Sequence, residues 1–161
     1  MNFKSLLLVI CGALLMLAFS CGKKEEQKPQ LYILDVNSPE QYTDAHIKGA
    51  VHGDLSKIKA VVKEWDKSVP VVIYCSNYMC TASGSVAQQL KEMGFTNVRA
   101  YEGGIAEWYQ LSKKNPEYVY EGPAQQEFLN IVMEKPVHEV EPDMIIDAQD
   151  LQKLMKSANI L

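Results

Sequence analysis

The sequence predicts an α/β domain with a largely parallel central sheet flanked by helices, and three observations carry that prediction. Short apolar runs rich in β-branched and aromatic residues recur at Leu31–Val36, Val69–Tyr74 and Asn97–Tyr101. Between them lie stretches whose apolar residues are spaced by three and four, the period of a helix with one buried face. Gly, Pro and Asn mark the junctions.

Each element follows from its residues. Leu31–Val36 is a strand, closed by Asn37, Ser38 and Pro39; Ser38 suits a helix cap, with Pro39 as the first helical residue. Gly49 and Gly53 bracket a very short strand at Ala50–Val51. Leu55, Ile58, Val61, Val62 and Trp65 mark one helix face. In the next helix Ala82, Val86, Leu90 and Met93 form the buried side, Thr81 or Ser83 serves as cap, and Gly94 ends it. Gly103 and Gly104 are positions of special backbone geometry that turn the third strand into a helix over Ile105–Leu111, with Trp108 as its core anchor.

The stretch richest in chemistry is Val71–Ser83. An apolar run ends at Cys75, a polar loop of Ser76, Asn77, Tyr78, Met79, Cys80 and Thr81 follows, and a helix begins. A thiol there sits at the carboxyl end of a buried strand facing a helix N-terminus, where open α/β sheets bind ligands. Such a setting lowers a thiol pKa, and consecutive loop amides can hold an anionic sulfur. Cys75 is therefore the candidate nucleophile. Cys80 reads either as a resolving thiol for Cys75 or as a small residue packing the loop. A zinc site would need two further ligands that the local sequence does not supply, and the reading requires neither metal nor cofactor. His46 reads as structural, fixing the turn before Gly49; His52 and His138 show no partner pattern.

Composition narrows the function. The chain has 161 residues, a net charge of −4 and a single arginine, Arg99, which argues against nucleic acid as a partner. Residues 1–21 read as a lipoprotein signal peptide. Lys4 gives a positive start, Leu6–Phe19 an apolar core too short for a comfortable membrane span, and Leu17-Ala18-Phe19-Ser20-Cys21 resembles a lipobox with Cys21 as the lipidated residue. Residues 22–30 are a charged tether. These features predict a lipid-anchored protein of the bacterial cell envelope, on the periplasmic face or the cell surface.

Four segments together resemble rhodanese-like domains. They are Leu34-Asp35-Val36 through Asp44-Ala45-His46-Ile47-Lys48-Gly49-Ala50, then Val72-Ile73-Tyr74-Cys75, then Gly94-Phe95-Thr96-Asn97-Val98, and last Glu102-Gly103-Gly104-Ile105-Ala106-Glu107-Trp108. The resemblance implies a three-layer domain over residues 31–115. It also implies sulfurtransferase activity, in which Cys75 accepts sulfane sulfur as a persulfide from a small donor and passes it to a thiophilic acceptor. Two departures stand out. The loop Ser76–Thr81 holds no basic residue, and Asn37 stands where the family usually has Arg, so a persulfide donor suits the site better than thiosulfate. The alternatives are a thiol–disulfide protein using Cys75 and Cys80, or a non-catalytic binding module. Residues 116–161 form a C-terminal extension with a helix expected near Ala124–Met133. Its end, Met144–Leu161, resembles the strand and helix that usually precede the Leu-Asp-Val strand, which suggests a circularly permuted order.

Overall fold

The computed structural model describes residues 30–135 and 142–161. The leader with Cys21, most of the tether, and His138 lie outside the described residues.

Four parallel strands form the central sheet: β1 (Tyr32–Asp35), β3 (Val51–His52), β4 (Val71–Tyr74) and β5 (Val98–Tyr101), in the order β3-β1-β4-β5. β1 and β4 pair from Tyr32↔Val71 to Asp35↔Tyr74, and β4 and β5 from Val71↔Val98 to Tyr74↔Tyr101. All four residues of β4 are buried, as expected of a strand covered on both faces. The helices are α1 (Pro39–Asp44), α2 (Ile58–Val61), α3 (Ala82–Glu92), α4 (Gly104–Ser112) and α5 (Ala148–Ser157). Strand alternation divides the core in two. Leu34, Ile73 and Ala100 face Ile58 and Val62 together with Val86, Ala87 and Leu90 of α3. Ile33, Val72, Tyr74 and Tyr101 face Ile105 and Trp108 of α4 and Leu151 and Met155 of α5.

The first helix starts as its sequence predicts. The Ser38 hydroxyl accepts a hydrogen bond from Gln41 N–H, Gln41 Oε1 accepts one from Ser38 N–H, and Pro39 opens the helix. Three expectations need correction. The Leu55–Trp65 stretch is a single tight turn over Leu55–Lys57 followed by four helical residues, not one continuous helix. The buried face of α3 is Ser83, Val86, Ala87 and Leu90, with Ala82 and Met93 only partly covered. No helix spans Ala124–Met133. Ala124 takes a positive φ of 53°, and only Glu127–Asn130 form a tight turn.

Residues beyond 115 pack into the same core. β6 (Tyr120–Glu121) pairs antiparallel with β2 (His46–Ile47), and the Asp44 carboxylate accepts the backbone N–H groups of Gln125 and Gln126. Gln110 of α4 donates to the carbonyls of Leu129 and Ile131, laying that segment along the helix. At the open edge of β5, Ile145 forms a parallel bridge with Ala100, and Ile146 N–H donates to Ala100 O at 3.0 Å. Asp147 then caps α5 by accepting from Asp150 N–H, and the helix buries Leu151 and Met155 completely.

Because Leu151 fills the α4 side of the core, Leu151→Ala should leave a cavity that costs about 2–5 kcal/mol. A urea unfolding series would measure it, and a shift within error of zero would mean that α5 is not part of the folded unit.

Candidate active site

The four parallel strands end at one edge of the sheet, and β4 delivers Cys75 there. Strand alternation sends Tyr74 to the α4 side and Cys75 to the α3 side. Two backbone contacts then fix the chain as it leaves the strand. Ile105 N–H donates to Cys75 O and Ala106 N–H to Ser76 O, each at 3.0 Å. The approach is close enough to require glycine at 104. Its φ is +62°, and a Cβ there would lie 2.4 Å from Cys75 O and 2.8 Å from Asn77 N.

The loop of Ser76 to Thr81 folds back on itself. Asn77 O accepts from Cys80 N–H, and the Asn77 side chain accepts from Met79 N–H. This turn returns Cys80 to Cys75. The Cys75 sulfur is 3.2 Å from Cys80 O and 3.6 Å from the Ser83 hydroxyl. Cys75 is 0% exposed, whereas Cys80 is half-buried above it, and both thiols are free. The two thiols perturb each other in opposite directions. Cys80 is pushed down from the ordinary thiol value, first by the hydrogen bond it accepts from Cys75 and then by backbone N–H groups of Ala82 and Ser76. That same bond, with burial, pushes Cys75 up; the Ser83 N–H and hydroxyl oppose the rise.

The other predicted site residues separate. Tyr78 turns inward and donates to Glu107 Oε1 at 2.8 Å, while Tyr101 donates to Glu107 Oε2 at 2.7 Å. Burial and the Glu107 carboxylate push both phenols up. Met79 is 75% exposed, and its backbone N–H donates to Asn77 Oδ1. Thr81 stands at the start of α3 but makes no capping bond through its side chain, and neither does Ser83, whose hydroxyl faces Cys75 instead. A cleft of about 200 Å³ opens beside the loop, lined by Asn77, Tyr78, Glu107, Gln110 and Lys114 among others. It borders the loop and does not reach Cys75. His46 is structural as expected: its ring bonds Tyr42 O and Glu121 and stacks on Tyr42. His52, which showed no partner in the sequence, bonds Asn37 O at 2.9 Å.

Ser83 and Glu107 are the contributions that sequence reasoning missed. Ser83 was weighed only as a cap. Glu107 lies inside the Gly103-Gly104-Ile105-Ala106-Glu107 run, whose spacing from Tyr101 was its available signal.

A thiol at the carboxyl edge of a parallel sheet, ringed by a short loop and the first turn of a helix, is the site that these elements build. The Rhodanese family model, a rhodanese-like domain, matches residues 22–111, and the chain belongs to that family. Thiosulfate sulfurtransferase GlpE of Coxiella burnetii is 37% identical over 82 residues, which is 51% of this chain and 75% of that protein. The uncharacterized protein YqhL of Bacillus subtilis is 34% identical over 90 residues, 56% of this chain and 66% of its own length. Among solved structures, the Alr3790 protein from Anabaena matches with a TM-score of 0.51 at 25% identity, over 59% of this chain and 70% of that one. The BH2092 protein from Bacillus halodurans matches with a TM-score of 0.50 at 28% identity, over 59% and 66%. These likenesses support a sulfurtransferase family, and such a family implies a sulfur donor and an acceptor.

The buried edge also holds Asp35. Its Oδ1 accepts from Asn37 N–H at 2.8 Å, while Oδ2 is buried without a hydrogen-bond partner. Burial raises its pKa from 3.8 to about 6 against that bond. A raised carboxylate pKa means that the folded state holds the proton more tightly. Its contribution to stability is therefore fully present below pH 4 and lost as pH rises to about 6, a difference on the order of 3 kcal/mol. Asp35→Asn should flatten the pH dependence of unfolding between pH 4 and 6; an unchanged slope would remove Asp35 as its source.

Proposed function

We propose that this protein is a sulfurtransferase that carries sulfane sulfur on Cys75. The observation that supports this reading best is the enclosure of the Cys75 sulfur at the strand end by the 76–81 loop and the first turn of α3. In the forward half-reaction the Cys75 thiolate attacks the sulfane sulfur of the donor. The donor's S–S bond breaks, its remaining group leaves with the electron pair, and Cys75 holds a persulfide. An acceptor thiolate then attacks the outer sulfur and restores the Cys75 thiolate. Ser83 N–H and hydroxyl are placed to stabilise either anion, against the burial and the Cys80 contact that push the Cys75 thiol up. Since Cys75 is fully covered, a donor reaches it only when the loop and Cys80 move aside.

Two further parts belong to this proposal. Cys21 is the lipid anchor that holds the domain in the cell envelope, with residues 22–30 as tether. Residues 142–161 complete the domain as its lead-in strand and helix, so that the chain order is circularly permuted. The Ile145–Ala100 bridge and the burial of Leu151 and Met155 support that assignment.

Wild-type protein exposed to thiosulfate or glutathione persulfide should take sulfur onto Cys75, read either as an adduct or as sulfide released from it. Cys75→Ser should lower sulfur transfer on the order of a thousandfold or more. Transfer that persists in Cys75→Ser would move the nucleophile elsewhere, and no transfer by wild type from either donor would favour a non-catalytic binding module.

A further inference from the structure

We infer that Cys80 is a resolving thiol that discharges the Cys75 persulfide inside the loop, releasing the sulfane sulfur as hydrosulfide and leaving a Cys75–Cys80 disulfide. The inference rests on the persulfide reading of Cys75.

The geometry carries it. The Asn77 turn brings Cys80 back over the strand end, so that its carbonyl lies 3.2 Å from the Cys75 sulfur and its side chain packs against the core cluster that holds Cys75. The two cysteines are five residues apart across a tight turn, and a disulfide between them needs their Cα atoms within about 7 Å. Cys80 is also the cover: Cys75 is fully buried and Cys80 is half-exposed. Any external acceptor must displace the very residue that already touches its target. Aligned intramolecular reactions reach effective molarities of about 10⁵ M, so even a poorly aligned neighbour outcompetes millimolar thiols. The N–H groups of Ser76 and Ala82 face the Cys80 sulfur and favour its ionised, attacking form.

The step balances without an outside oxidant. The Cys80 thiolate attacks the Cys75 sulfur, the bond from Cys75 to the outer sulfur breaks, and its electron pair leaves with hydrosulfide. The outer sulfur gains one electron from the broken bond, the Cys80 sulfur gives up one to the new bond, and the Cys75 sulfur is unchanged. Two external thiols then return the disulfide to the starting pair and depart as their own disulfide. The net reaction is thiol-dependent reduction of sulfane sulfur to sulfide, which differs from delivery of intact sulfane sulfur to an acceptor.

The test is anaerobic, with one equivalent of glutathione persulfide and full-length protein, reading sulfide release and intact mass together. Wild type should release about one sulfide per chain and yield a Cys75–Cys80 cross-linked peptide. Cys80→Ser and Cys80→Ala should instead retain an adduct of about 32 Da on Cys75 and release sulfide at least about tenfold more slowly. If wild type holds the adduct as long as the variants do, the inference is overturned and the Cys75 persulfide stands. If no form of the protein gains sulfur or releases sulfide, both readings are overturned together. The cross-linked peptide is sought in wild type, so the outcome does not depend on either variant folding.

Discussion

The backbone docking of α4 onto the residues after β4 governs the shape of the site. An α-helix begins with N–H groups that have no partner within the helix. Here the N–H groups of Ile105 and Ala106 are satisfied by the carbonyls of Cys75 and Ser76, and Gly104 makes the approach sterically possible. A trans peptide points its C=O and N–H in opposite directions. With the Cys75 carbonyl held toward α4, the N–H of Ser76 must face the other way, and it faces the Cys80 sulfur. One helix contact thus orients the peptide that lines the sulfur site, without any side chain contributing.

The sheet supplies the complementary constraint. Tyr74 and Cys75 are consecutive, so one enters the α4 layer and the other the α3 layer. Tyr74 is held firmly: it is fully buried, and its hydroxyl accepts a hydrogen bond from Ile47 N–H at 2.9 Å. Fixing Tyr74 fixes the direction of Cys75. The buried Asp35 is the cost of this arrangement, since desolvation of its carboxylate outweighs the hydrogen bond it accepts. Stability at neutral pH is thereby traded for a rigid strand end beneath the thiol.

Much of this was legible in the residues, and the illegible parts share a cause. Val71–Tyr74 reads as a buried strand because an unbroken apolar run has no other place in a sheet of this kind, and Ser38-Pro39 reads as a helix start because cap and imino acid leave little choice. The face of α3 keeps the expected Val86 and Leu90 but takes Ser83 and Ala87 in place of Ala82 and Met93. A buried serine is not legible from apolar spacing; its hydroxyl lies 3.6 Å from the Cys75 sulfur. The missing helix at Ala124–Met133 has a similar origin. Those carbonyls and N–H groups are taken by Gln110 and Asp44, residues far away in sequence that override local propensity. The relation between Cys75 and Cys80 was left open by the sequence because a five-residue spacing is compatible with approach or separation. Only the turn at Asn77 decides it.

The same peptide orientations bear on which donor suits the proposed activity. A helix N-terminus offers roughly half a positive charge through its free N–H groups. Two helices begin beside the loop, but the leading N–H groups of α4 are occupied by the carbonyls of Cys75 and Ser76. That leaves the first turn of α3, with Ala82 and Ser83, and the inward N–H of Ser76 to face anionic sulfur. The loop itself carries no basic side chain, and Asn37 contributes no charge. Half a charge and a few N–H groups balance one sulfur anion at a time. On the proposed reading, a doubly charged donor such as thiosulfate would bring a second charge to a buried thiol whose loop, Ser76 to Thr81, carries no cation to meet it, where unpaired burial costs most. A persulfide donor presents at most one charge at its reacting end. The electrostatics of the loop thus favour persulfide over thiosulfate as the source of sulfur for Cys75.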